Sequence, residues 1–190
     1  MCTPAGDGGV NSPPNQLLVG KYEPANGNTI WSRKIQSTFF ADTIGRGMVQ
    51  DAVGNIYLVG SSDTTTFGAG FARTSSSGLD AFVLKLAPSG TTLNVSTFGQ
   101  PGTISLPDDE LFGAALDNSS NLWVIGAFAN TASVGTNLLT SAGSGDIVLI
   151  KYDANLNVIW ARRQGSAGND YGRSLTADSA SGTPSSTFHS

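Results

Sequence analysis

Short apolar runs punctuated by turn residues recur along this chain, and three of them carry the same phrase. "QLLVGKYEPANGNTIW" (16–31), "LDAFVLKLAPSGTTLNV" (79–95) and "GDIVLIKYDANLNVIW" (145–160) each read as an apolar run, a turn and a second run. Aligning Lys21, Lys85 and Lys151 gives spacings of 64 and 66. A second landmark agrees: "QDAVGNIYLVGS" (50–61) matches "LDNSSNLWVIGA" (116–127), with Asp51 and Asp117 also 66 apart, and Asp178 follows at 61. A third, Asp80 to Asp146, is 66 again. Landmarks in one order at matching spacing define an internal repeat, the strongest organising signal a chain of this kind offers.

Each repeat resolves into four short segments, in the middle copy 80–87, 92–98, 111–117 and 121–127, parted by clusters such as "PSG" and "DNSS". Those clusters are hairpin and loop chemistry. The first and fourth segments ("AFVLKLA", "NLWVIG") are apolar almost throughout, as strands covered on both faces are. The second is more mixed ("NVIWARRQ"), as expected nearer an edge. The pattern predicts an all-β chain of four-stranded antiparallel units, with boundaries at 16–79, 80–145 and 146–190. Successive four-stranded sheets of this kind are the blades of a β-propeller.

The stretch "SAGSGDIVLIKYDANLNVIWARRQGSAGNDYGRSLTAD" (141–178) resembles the SBBP-type β-propeller repeat of bacterial secreted proteins and lipoproteins. "DAVGNIYLVG" and "DNSSNLWVIG" fill the closing part of that repeat, and the likeness spans 16–178. It implies tandem propeller blades that act as scaffold or recognition surface, with no shared active site. Val95 departs from the pattern where Trp31 and Trp160 hold a tryptophan, and "PGTISLPDDELFG" lengthens one loop.

The third copy ends in "SGTPSSTFHS", which lacks the apolar run of a buried fourth strand, and three units fall short of the four to eight blades of a closed ring. Two readings follow: a chain cut short, or self-association in which another copy completes the ring. Residues 1–15 have the composition of a disordered leader. Met1-Cys2 ahead of that tether is similar to a mature lipoprotein with methionine in place of its signal peptide, which makes Cys2 a candidate lipidation site and places the chain outside the cytoplasm, secreted or at the cell surface.

Composition narrows the chemistry. Charged residues are 13% of the chain and glycines number 24, so long charged helices are not expected. The net charge is −4 and the ten basic residues are scattered, which argues against a nucleic-acid partner. No apolar stretch reaches the span of a membrane helix, so a membrane is reached only through the lipid anchor. One cysteine and one histidine, His189, leave no disulfide, no Cys or His metal centre and no activated serine.

Four candidate groups remain. Lys21, Lys85 and Lys151 stand at equivalent strand positions, so on an innermost strand they form a ring of ammonium groups for an anion; alternatively each lays its stem on apolar surface and pairs its head with a nearby aspartate. Asp51, Asp117 and Asp178 open turns, where an aspartate accepts backbone N–H groups, and Asp80 and Asp146 enter strands. "PDDEL" (107–111) is the one acidic cluster, a solvated loop or a cation- or partner-contact loop. Trp31, Trp123 and Trp160 serve blade packing or a carbohydrate platform. No cofactor, metal or catalytic constellation is implied. The expected function is a non-catalytic binding or scaffold module for a protein or glycan; the alternative is a fragment of a glycan-directed propeller enzyme.

Overall fold

A computed structural model describes residues 16–37, 42–73, 78–99, 108–178 and 184–189. Every regular element in it is a strand. In chain order these are β1 (Leu17–Tyr22), β2 (Thr29–Ser37), β3 (Thr43–Gln50), β4 (Ile56–Ser62), β5 (Thr65–Thr66), β6 (Ala72–Arg73), β7 (Asp80–Leu86) and β8 (Thr92–Phe98). Then follow β9 (Glu110–Leu116), β10 (Leu122–Phe128), β11 (Thr131–Val134), β12 (Asn137–Thr140), β13 (Asp146–Tyr152), β14 (Val158–Gln164), β15 (Tyr171–Ala177) and β16 (Pro184–His189). Residues 1–15, with Cys2, lie outside the described residues.

Two matching four-stranded antiparallel sheets dominate, ordered β3-β4-β7-β8 and β9-β10-β13-β14. The sheets are therefore out of phase with the sequence repeat by two strands. Each takes its first pair from the end of one repeat and its second pair from the start of the next. This corrects the expectation of one sheet per repeat, because the boundaries at 79/80 and 145/146 fall inside the β4–β7 and β10–β13 ladders. The reason lies in the apolar runs. β4 and β10 are buried at nearly every position and β7 is buried throughout after Asp80, so these strands belong at sheet centres, side by side. The mixed strands β3, β8, β9 and β14 take the edges.

Period-two alternation sends the two faces of each central strand into different cores. Tyr57, Val59, Ala81 and Val83 pack toward Leu122, Val124, Val148 and Ile150 of the next sheet. Ile56, Leu58, Phe82, Leu84 and Leu86 pack the other way, onto Val19 and Ile35 of the β1–β2 hairpin. Beyond the second sheet, Ile125 and Ile147 meet Leu175 of β15. Sheet-on-sheet stacking thus explains why these strands read as apolar on both faces.

The third copy does form a fourth strand, contrary to its expected absence. β16 pairs with β15 antiparallel, and Pro184 opposes Ala177 as Leu122 opposes Leu116 and Ile56 opposes Gln50. It tolerates a polar sequence because it lies in a two-stranded ribbon, where Ser185 and Thr187 are exposed instead of buried at a sheet centre. Of the linker strands, β5 and β6 extend the β1–β2 hairpin into a third four-stranded sheet, β1-β2-β5-β6, and β11–β12 form a separate two-stranded ribbon.

Candidate binding site

The edge strand β9 packs against β3 on one side and β15 on the other, and each of the three carries a β-bulge at the same place. The register skips one residue between Gly45 and Gly47, between Leu111 and Gly113, and between Gly172 and Ser174. The extra residues are Arg46, Phe112 and Arg173. A bulge leaves its extra residue out of the ladder and re-aims its side chain, which is why bulges gather at functional edges. Close approach of the strands demands small residues beside the bulges: a Cβ on Gly47 would lie 3.0 Å from the Phe112 carbonyl oxygen, and one on Gly113 would lie 3.3 Å from Ser174 Cα.

The three ejected side chains meet. The Arg173 guanidinium lies 4.7 Å from the Phe112 ring centre and 4.8 Å from that of Tyr171, and Arg46 lies 5.9 Å from Phe112. Phe112 and Tyr171 contact edge to face at 6.4 Å. Guanidinium groups favour aromatic faces electrostatically, so the rings fix the cations in place. Arg46 Nε also donates to Glu110 Oε1 at 2.6 Å, and Ser61 Oγ lies 3.2 Å from the same oxygen. Arg173 makes no hydrogen bond or ion pair with the described residues; its contacts are the two rings.

Beside this cluster opens a cleft of about 530 Å³, lined by Asp108, Glu110, Phe112, Ala127, Ser144, Asn169 and Tyr171. That volume falls in the range of small-ligand sites, and its lining mixes rings with hydrogen-bonding groups. Asp108 Oδ1 accepts the Leu79 amide at 3.2 Å. A second groove, about 480 Å³, runs past Trp31, Arg33, Gly90 and Thr92. Its polar groups are already engaged: Trp31 Nε1 donates to Pro88 O at 2.9 Å, Arg33 donates to Gly90 O at 2.7 Å, and both Arg33 and Thr92 donate to Phe67 O. The cleft by the bulges is preferred because two rings line it, Phe112 and Tyr171, beside an arginine, Arg173, that makes no hydrogen bond with the described residues.

The repeated lysines lie elsewhere. Lys85 is nearly buried, at the centre of its sheet, with Nζ donating to Ala154 O at 2.6 Å and lying 5.1 Å from the Tyr57 ring centre. Lys151 pairs with Asp117 at 2.9 Å and lies 4.6 Å from the Trp123 ring centre. Lys21 opposes Trp31 on the β1–β2 hairpin. β7 and β13 are central strands, paired on both sides, and each of the two heads is held by its own sheet or the next turn.

The aspartates divide by role. Asp51 Oδ1 accepts the amides of Val53 and Asn55, Asp117 Oδ1 those of Ser119 and Asn121, and Asp153 Oδ1 those of Asn155 and Asn157. Burial alone would raise the Asp117 carboxyl; bonds from Asn121, Lys151 and Trp123 outweigh it and hold the group far below the usual carboxylate range. Asp178 and Asp80 each have interaction partners as well. Asp146 is fully buried, with Oδ2 accepting from Arg163 at 2.6 Å and from the Ala142 amide at 2.7 Å. Of the acidic cluster, Asp109 is buried and accepts the Ala129 amide at 3.0 Å, while Asp108 and Glu110 reach the cleft. Trp123 and Trp160 pack edge to face at 5.0 Å. No group of three His, Cys, Asp or Glu among the described residues is arranged to hold a metal.

Sequence reasoning passed over Arg46, Phe112 and Arg173, although a signal exists. Each stands five residues before a landmark aspartate: Asp51, Asp117 or Asp178. Period-two alternation hides them, because a bulge shifts every following side chain to the other face. No protein-family model matches the chain, and the curated proteins compared with it contain no match.

Proposed function

We propose that this chain is a non-catalytic binding module built from β-propeller-type repeats of the SBBP kind, carried by an exported protein and tethered through Cys2. The observation that carries the binding assignment is the convergence of three equivalent bulge residues, Arg46, Phe112 and Arg173, beside one polar and aromatic cleft. Recurrence alone would suit a structural device; what supports binding is that the three ejected side chains come together beside a cleft. The ligand class that suits rings, two carboxylates, an amide and a hydroxyl in one cleft is a saccharide, whose apolar ring faces stack on aromatics while its hydroxyls bond to polar groups. A glycosidase needs a free acid and a free base or nucleophile across the bond. In the cleft, Glu110 is tied by an ion pair to Arg46 and lies within hydrogen-bond distance of Ser61, which commits one of the two carboxylates a glycosidase would need and favours binding over hydrolysis.

The test applies the purified chain to arrayed oligosaccharides, alongside a Phe112→Ala/Tyr171→Ala variant checked for wild-type circular dichroism. Saturable binding by the wild type that the variant loses supports the assignment. Binding indifferent to the double substitution overturns the site, and release of reducing ends from a bound oligosaccharide overturns the non-catalytic reading.

A further inference from the structure

We infer that the saccharide is acidic, and that Arg173 is the residue that recognises its carboxylate. This rests on the saccharide reading of the same cleft and adds the charge of the ligand. Three features of Arg173 lead to it. Its position on a bulge takes it out of the β15–β16 ladder and toward the edge. Its guanidinium rests on two rings, Phe112 at 4.7 Å and Tyr171 at 4.8 Å, both of which line the cleft. Its donors are not engaged by any described residue, whereas the neighbouring Arg46 is already committed to Glu110.

The two rings meet edge to face, so they brace the guanidinium carbon from two directions, and a guanidinium carries its N–H groups in its own plane. Such an in-plane fork matches the two oxygens of a carboxylate and binds it through two parallel hydrogen bonds. The contact with both rings also restricts the rotamer freedom that an exposed arginine loses on binding, so less of the interaction is offset by ordering. Sulfate presents similar oxygens to the fork, so the shared chemistry is an oxyanion borne on a sugar, and the carboxylate is the member with the matching planar pair.

The cleft's own carboxylates set a selectivity limit. Asp108 and Glu110 repel a ligand with acidic groups along its whole length, and Arg46 offsets only Glu110. The geometry therefore favours one carboxylate at Arg173 with hydroxyl-bearing parts of the sugar in the cleft, and Asp108→Asn tightens binding of a uronate.

Titration calorimetry on the full chain decides it, using a uronic-acid trisaccharide, its methyl ester and a sulfated neutral trisaccharide at low and high salt. The expected result is that the uronate binds roughly ten-fold or more tightly than its ester, as a charge-assisted bidentate bond implies. The uronate preference shrinks in Arg173→Ala and also in Arg173→Lys, because an ammonium keeps the charge without the planar fork. Equal binding of acid and ester, or an unchanged preference in Arg173→Ala, overturns the inference while the saccharide site stands. A sulfated ligand that outbinds the uronate overturns the carboxylate assignment. Failure of all three to bind overturns the inference together with the saccharide reading.

Discussion

Lys85 of β7 donates its ammonium to the backbone carbonyl of Ala154, 2.6 Å away in the β13–β14 turn of the next sheet. The same turn carbonyl one repeat earlier, that of Pro88, is capped by the indole of Trp31. Adjoining side chains reinforce both joints: Asn94 donates to Asn155 O at 2.6 Å, and Arg33 to Gly90 O at 2.7 Å. Stacked sheets leave hairpin-turn carbonyls facing a neighbour across the joint, and each joint supplies a long donor to satisfy them.

Lys85→Met keeps the apolar stem and removes the donor, so the Ala154 carbonyl loses its charged partner. Hydrogen bonds to charged groups contribute about 1.5–3 kcal/mol, and urea unfolding is expected to show a loss in that range. Lys21→Met, at the half-buried equivalent position on β1, serves as the comparison, since no hydrogen bond or ion pair of its ammonium is seen among the described residues, and is expected to change stability by less than about 0.5 kcal/mol. Equal losses in the two variants contradict a specific role for the joint.

Asp117 makes stability acid-dependent. Its carboxyl is held below its unfolded value of 3.8, so its contribution is fully present above that value and is lost as pH falls through it toward the lower folded value. Thermal melts are expected to be level in this respect above about pH 5 and to drop below pH 4, with Asp117→Asn showing a shallower acid limb. An identical acid limb in the variant removes Asp117 from the explanation.

Arg163 neutralises the fully buried Asp146, whose Oδ1 has no hydrogen-bond partner among the described residues. Removing the cation leaves a buried charge without its counterpart, a change that costs about 3 kcal/mol or more. Arg163→Ala is therefore expected to lower the melting temperature sharply, and Asp146→Asn in the same chain to recover part of the loss. A double variant no more stable than Arg163→Ala rules out the charge as the cause.

Gly126 lies opposite the bulge of β9, where a Cβ would stand 1.9 Å from the Glu110 carbonyl oxygen and 2.8 Å from Leu111 Cα. Both neighbours are backbone, so Gly126→Ala forces the ladder apart and is expected to destabilise by at least about 2 kcal/mol. It is also expected to disturb the Phe112 bulge and weaken ligand binding. Gly168→Ala, with nothing within 4 Å of its Cβ, is the neutral control. Wild-type stability in Gly126→Ala contradicts the bulge geometry.

Much of this was legible in the residues. The apolar runs at "NIYLVG", "AFVLKLA" and "NLWVIG" identify strands covered on both faces, because alternation disappears only when both faces are buried. The aspartates ahead of Asn55 and Asn121 announce their turns, because a short carboxylate in that place closes on the following amides. The repeat itself needs nothing beyond the spacing of Asp51, Asp117 and Lys85, Lys151.

Tertiary structure decided the rest. The partner of β7 is β4 of the preceding repeat, since a strand apolar on both faces finds its neighbours wherever two apolar strands lie side by side, and repeat boundaries carry no record of that choice. Whether "PSSTFH" forms a strand depended on β15 offering it an edge, because an edge ladder asks for free backbone groups and not for apolar side chains. The meeting of Arg46, Phe112 and Arg173 likewise depended on three bulges coming into contact across separate sheets. Each bulge is a local departure of one residue, but only the packing of β3 on β9 and β9 on β15 turns three such departures into one site.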